Sequence, residues 1–137
     1  ENQALNTLGT ALKNAAMAQG ETDEKTLKKA ENMPLRAPMI IACVTDFKPH
    51  DKVPHWEQIA ASSCAVQNLL LALSAQGFAT VWRTGPLANA PAIKQLFNVT
   101  ADNQVIAFVY VGTAVSTIPP RSKIDVTPFI VYDNGTN

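Results

Sequence analysis

"KVPHWEQIAASSCAVQNLLLALSAQGFATVWRTG", residues 52–85, passes in one stretch from a long helical register into a short β run and out at a polar corner. From Trp56 to Gly77 the segment predicts a helix about 30 Å long at 1.5 Å per residue. Apolar residues lie all round it: Ile59, Ala60, Ala61, Cys64, Ala65, Val66, Leu69 to Leu73 and Ala75. A helix of that kind is buried all round, which one small subunit rarely achieves, so part of its surface is expected at an interface. Ser63, Gln67 and Ser74 fall in a narrow strip, open to a ligand edge, a partner helix, or bonding back into their own helix. Gly77 ends the helix and "FATVW" reads as a buried strand. The chain then sets Trp82, Arg83, Thr84 and Gly85 side by side where that strand leaves the core.

Working outward, Leu5, Leu8, Leu12 and Ala16 recur at helical spacing and predict a first helix to about Gln19, stopped by Gly20 in a left-handed C-terminal cap. "ETDEKTLKKAENMP" puts acids early and Lys28 and Lys29 late, the order the helix dipole favours, and reads as a short solvated helix closed by Pro34. "APMIIACVTD", 37–46, and "VIAFVYVG", 105–112, have no helical period and predict strands buried on both faces. Between the main elements, Asn89 is expected to cap a short helix that has Pro91 in its first turn and runs to Phe97. From Thr113 the chain is proline-rich, and its "FIVY", 129–132, reads as a last strand; the 113–137 tail is expected to dock on a partner subunit.

At 137 residues and 47% hydrophobic the chain suits a single domain over 1–137. Lys plus Arg and Asp plus Glu both number 11, so the net charge is zero and no broad field attracts nucleic acid or an anionic membrane. The longest apolar run, from Leu69, falls short of the roughly 20 residues of a membrane span. Cys43 and Cys64 lack metal or redox spacing and read as buried, inert thiols. His50, His55 and Asp51 match no zinc pattern, so no metal is expected. Two Asn-x-Thr sequons, at Asn98 and Asn134, are assigned no role. The chain begins "ENQALNTLG", without initiator Met or a helix cap, and reads as cut just before or inside a helix.

Only three arginines occur, Arg36, Arg83 and Arg121. The planar fork of Arg83 suits a phosphate, a carboxylate or the polar edge of a heteroaromatic ring, and equally a structural role at a strand end. Arg121, in "PPRSK", is either an anion cradle or an exposed basic turn; Arg36 reads as structural. No P-loop, G-x-G-x-x-G, G-x-S-x-G or H-E-x-x-H occurs and no triad is suggested, so an enzyme here would take its chemistry from a cofactor.

The order of these parts, with V-P-x-W-E at Val53 to Glu57 and W-R-T-G at Trp82 to Gly85, resembles the nitroreductase family, and within it the small bacterial NAD(P)H nitroreductases. The resemblance runs from the first helix to Tyr132. It implies an α+β, three-layer α/β/α fold with a mixed, mainly antiparallel sheet, and a cytoplasmic FMN-dependent oxidoreductase that is a homodimer with flavin at the interface. It implies Trp82, Arg83 and Thr84 as FMN contacts and Arg121 as an aid in holding the FMN phosphate. Ala72, Leu73, Ser74, Ala75, Gln76 and Gly77 would then adjoin NAD(P)H. Electrons would pass to nitroaromatic or quinone-type acceptors by ping-pong hydride transfer, with no side-chain nucleophile. The family's opening segment, roughly fifty residues that carry a basic phosphate grip, is not present here; the chain reads as lacking it. The alternative is a flavin-free dimeric α+β module without activity.

Overall fold

The first element, α1 (Asn2–Ala18), is amphipathic: Leu5, Leu8, Leu12, Ala15 and Ala16 form its buried stripe. It ends as expected, with Gly20 at φ +93° and the Glu21 N–H returning to the Ala16 carbonyl at 3.1 Å. The structure is a computed structural model that describes residues 2–116, 119 and 122–132. Helix α2 (Glu24–Asn32) starts where the Asp23 carboxylate accepts from the Thr26 N–H at 2.8 Å, and only Ala30 of it is buried. It crosses α1 at Gly9, where a Cβ would overlap the Glu31 carbonyl oxygen. A 3-10 turn, Met33–Arg36, with Pro34 buried, then delivers the chain into β1 (Met39–Thr45).

After a loop come α3 (His55–Ala75), β2 (Ala79–Arg83), a 3-10 turn at Pro86–Asn89, α4 (Pro91–Leu96) and β3 (Gln104–Gly112). The loop before α3 is pinned by Gln58, whose amide donates to the Lys48 and Val53 carbonyls and accepts from the Lys48 N–H. The strands form one antiparallel sheet in the order β1-β3-β2. On one face α1, α4 and the Pro86–Asn89 turn cover Val105 and Phe108. On the other, α3 lays Val66, Ile59, Leu69, Leu70 and Leu73 against Ala107, Val109 and Val111. The result is helix, sheet, helix, the α+β architecture expected.

Register breaks once. Cys43 faces Ala107 and Val44 faces Val105, so Ile106 is an extra residue in β3, a β-bulge. Consequently Ile106 and Ala107 both belong to the α3 side, while Val105 and Phe108 belong to the α1 side.

Several expectations are corrected. Of the strands read as doubly buried, only β3 is: β1 and β2 are the edges of the sheet, β1 is mostly half-buried, and Val81 of β2 is 51% exposed. Only Val66 of α3 is buried; Trp56 and Leu71 are 67% and 59% exposed, because the sheet covers one side of the helix and no described residue covers the other. Cys64 is exposed for the same reason, whereas burial pushes the half-buried Cys43 thiol up from its ordinary value. Helix α3 is also long and apolar enough to cross a membrane by length and composition, which the shorter run counted from Leu69 concealed. It is nevertheless packed along all three strands. Asn89 is not the α4 cap: Ala90 is, without a side-chain bond. "FIVY" is not a strand: Thr127–Phe129 make a 3-10 turn, and Ile130 to Tyr132 pair with no strand among the described residues. Every strand pairing among the described residues is antiparallel, in keeping with the mainly antiparallel sheet expected.

Candidate functional site

The polar corner after β2 is built by the bulge. The Ile106 carbonyl accepts from the Thr84 hydroxyl at 2.6 Å and from the Trp82 indole N–H at 3.2 Å, and that same N–H lies 3.1 Å from Thr84 Oγ1. Trp82 and Thr84 thus satisfy an oxygen that β2, whose pairing ends at Arg83 opposite Phe108, does not reach. One residue earlier on β3, the Asn89 side chain takes the place of a strand. Its Oδ1 accepts from the Val105 N–H at 2.8 Å and its Nδ2 donates to the Val105 carbonyl at 3.0 Å.

Because strand side chains alternate, Trp82 turns into the α3 core while Val81 and Arg83 turn to the α1 side, opposite Tyr110 and Phe108. There α1 no longer covers the sheet. Two adjoining cavities open, sharing Arg83 and Tyr110. The larger, about 340 Å³, has an apolar body of Leu12, Met33, Leu87 and Phe108 and a polar edge of Arg83, Thr84 and Tyr110. The smaller, about 220 Å³, adds Arg36, Thr80, Val81 and Gly112. Gly85 takes φ +77° at the mouth of the larger cavity, and a Cβ there would meet nothing within 4 Å. The chain turns sharply at Gly85 with its backbone open to approach.

Neither cavity is lined by an acidic residue, and among the described residues neither Arg36 nor Arg83 makes an ion pair. Burial pushes the Tyr110 phenol above its ordinary value, against the opposing pull of the Arg36 and Arg83 charges. At neutral pH it is therefore an uncharged O–H donor.

The structure brings Trp82, Arg83 and Thr84 together at one corner, with Trp82 behind it and Arg83 in front. Ala72 to Gly77 form the end of α3 and the turn after it, with Gln76 Nε2 donating to the Ala72 carbonyl at 3.1 Å; none of them lines either cavity. Of the polar strip on α3, Ser63 is half-buried and Gln67 and Ser74 are exposed; the hydroxyl that bonds back is that of Ser62, to Gln58, at 2.9 Å. Arg121 lies outside the described residues. Sequence reasoning missed Arg36, Tyr110 and Asn89. Cross-strand register would have found Tyr110, which lies between Ile40 and Val81.

Comparison with known proteins gives this corner its context. The sequence profile of the nitroreductase family matches residues 2–113. The chain belongs to the nitroreductase family. It is 35% identical over 133 residues to the Escherichia coli K12 protein named "Putative NAD(P)H nitroreductase YdjA", covering 96% of this chain and 72% of that protein. It is 40% identical over 134 residues to a Haemophilus influenzae protein named "Putative NAD(P)H nitroreductase", with the same coverages. A crystal structure of a nitroreductase-like family protein from Bacillus cereus shares the fold, with a TM-score of 0.77 at 19% identity over 96% of this chain and 68% of that one. This nitroreductase-family chain is therefore an oxidoreductase by kinship, and its α+β architecture is that of the family.

Proposed function

We propose that this chain is an FMN-dependent NAD(P)H oxidoreductase that reduces nitroaromatic or quinone-type acceptors by ping-pong hydride transfer, and that it works as a cytoplasmic homodimer. The observation that carries this reading is the β2 corner. An arginine that makes no ion pair among the described residues, a positive-φ glycine and an open apolar cavity of about 340 Å³ meet there, in a chain of this family. A planar heteroaromatic ring fits such a place: its body lies against Leu87 and Phe108, and its polar edge meets Arg83 and Thr84. Bound FMN would supply the redox chemistry, taking a hydride from NAD(P)H and giving reducing equivalents to the acceptor in a second half-reaction.

The residues of the chain do the rest. Arg83, exposed at the end of β2, places a permanent positive charge where negative charge develops on reduction. Thr84 already spends its hydroxyl proton on Ile106, so it offers a ligand an acceptor lone pair and its backbone N–H. Trp82 is the backing that holds Arg83 in register, since its indole packs in the α3 core. Ala72 to Gly77, exposed at the end of α3 except for Leu73, which packs on the sheet, would adjoin NAD(P)H only where a second copy completes that face.

The bare outer side of α3, with Trp56 and Leu71, and the exposed tail residues Phe129 (80%) and Tyr132 (75%) support the dimer. Exposed apolar patches of this kind mark an interaction surface.

The test is reconstitution with FMN followed by the visible spectrum and by NADH and NADPH oxidation with a nitroaromatic and a quinone. Flavin that stays bound through gel filtration and turns over supports the reading, and Arg83→Ala should weaken its retention. A colourless, inactive protein after reconstitution overturns it. Sedimentation velocity reads the dimer independently; a monomer at micromolar concentration overturns that part.

A further inference from the structure

The larger cavity at the β2 corner continues beyond the sheet. Met33, Pro86 and Leu87 line both it and a second hollow of about 420 Å³, so the two adjoin. This second hollow is a groove between the end of α1 and the exposed side of α2, lined from those helices by Ala16, Gln19, Thr26, Lys29 and Ala30. Ala16 and Ala30 are buried and Met33 and Leu87 half-buried, and together they make an apolar floor whose side chains carry no hydrogen-bonding group. Gln19, Thr26 and Lys29 form an exposed rim.

The walls of the groove are held apart at a fixed spacing. Helices α1 and α2 meet where Gly9 lies too close to the Glu31 carbonyl to admit a Cβ, and Lys13 pairs with Glu31 at 3.6 Å. At the far end Gly20 takes φ +93°, and a Cβ there would meet nothing within 4 Å. Glu21 is the acidic residue of the lining, and its Oε1 is turned back to accept from the Thr22 and Asp23 N–H groups, both at 2.9 Å. Its charge is thus committed to the turn and not to an occupant. A preformed hollow with an apolar floor and a few polar groups at its edge is what a small-molecule subsite requires.

We propose that this groove is a subsite for an aliphatic substituent on the electron acceptor, so that the preferred substrates are quinones or nitroaromatics that carry an alkyl chain. The inference rests on the reading that the β2 corner receives a flavin and its acceptor. An acceptor at the larger cavity finds Met33 and Leu87 as a continuing apolar wall, and a chain on it extends along that wall to Ala16 and Ala30. The floor offers no donor, acceptor or charge from its side chains, so it selects by apolar area. Each methylene buried there strengthens binding roughly fourfold.

The experiment compares 1,4-naphthoquinone with its 2-propyl and 2-hexyl derivatives. The full chain supplied with FMN is assayed for their reduction by NADH and NADPH, and the flavin-free chain is titrated with each by calorimetry. Both kcat/KM and affinity should rise with chain length, the 2-hexyl compound exceeding the bare quinone by about 10-fold or more. Any apolar patch rewards a longer chain, so two groove-filling variants locate the effect. Gln19→Trp and Lys29→Trp each add an indole from an exposed rim position that does not line the β2 corner. Each should lower the 2-hexyl value roughly 10-fold and leave the bare quinone unchanged.

A flat response to chain length overturns the inference, as does a chain effect that both variants leave intact, even while every quinone is reduced and the flavin reading stands. Equal loss of the bare and the 2-hexyl quinone in both variants overturns it too. Protein that retains no flavin and reduces nothing removes the flavin reading instead. The calorimetric arm then decides the groove by itself: a chain effect that the variants abolish upholds it, and no chain effect ends it.

Discussion

Replacing Thr84 by Val keeps the shape of the side chain and deletes only its hydroxyl, so the cost can be reasoned from two hydrogen bonds. Thr84 Oγ1 donates to the Ile106 carbonyl at 2.6 Å and sits 3.1 Å from the Trp82 indole N–H. In the valine variant the bulge oxygen keeps only the Trp82 bond at 3.2 Å, and Trp82 loses its second acceptor. A neutral hydrogen bond is worth about 1 kcal/mol net, and a partly buried carbonyl left short of a partner costs somewhat more, so Thr84→Val should destabilise by about 1–2 kcal/mol. For a domain of this size that lowers Tm by roughly 3–8 °C. Thr84→Ser keeps the hydroxyl and should lose much less. Urea unfolding of the flavin-free protein is the assay, with the midpoint falling and the slope unchanged. If Thr84→Val is as stable as wild type, or Thr84→Ser is hurt as badly as Thr84→Val, the account of the corner as a cap on the bulge is wrong.

Three further outcomes are expected. Asn89→Ala removes both bonds to Val105 and should cost about 1–3 kcal/mol by urea unfolding, whereas Asn89→Asp, which keeps only the acceptor, should recover part of it; equal losses would contradict the strand-substitute role. Gly9→Ala drives a methyl group into the Glu31 carbonyl and should destabilise by about 1–3 kcal/mol despite its better helix propensity, measured by thermal melting; a rise in Tm would mean that α1 and α2 separate freely. The phenol of Tyr110 is raised by burial above its ordinary 10.0, so the folded state holds that proton more tightly than the unfolded state does. Its contribution is full below pH 10 and is lost as pH rises through the folded value, so Tyr110→Phe should flatten the alkaline fall of stability; identical pH profiles would refute this.

Most of the elements were legible because their signals are local. Leucine spacing marks α1, Gly20 and Gly77 mark helix ends, and β-branched runs mark β1 and β3. The rank of each strand was not legible, since whether "APMIIACVTD" is central or an edge depends on what pairs beside it, not on its own letters. The same holds for Asn89: before a proline-started helix an asparagine reads as a cap, and only Val105, sixteen residues on and next to the bulge, offers its amide a better use. At the site, Arg83 was visible from its place after a strand, and the family likeness drew Trp82 and Thr84 into one corner. Arg36 escaped because it lies 47 positions before Arg83 and reaches it only through the sheet.

The single extra residue at Ile106 makes the chain count differently on its two sides. Beyond it toward Gly112, even-numbered residues face α1; before it, odd-numbered Val105 does. Deleting Ile106 would mend the ladder and leave Val105 on the α1 side, yet it would remove one of the two residues that pack against α3 and withdraw the oxygen that Trp82 and Thr84 hold. Length changes in the exposed 100–102 turn, by contrast, leave that count untouched. For anyone reshaping this protein, the turn before β3 is where residues can be added, and the middle of the strand is where a single one cannot be taken away.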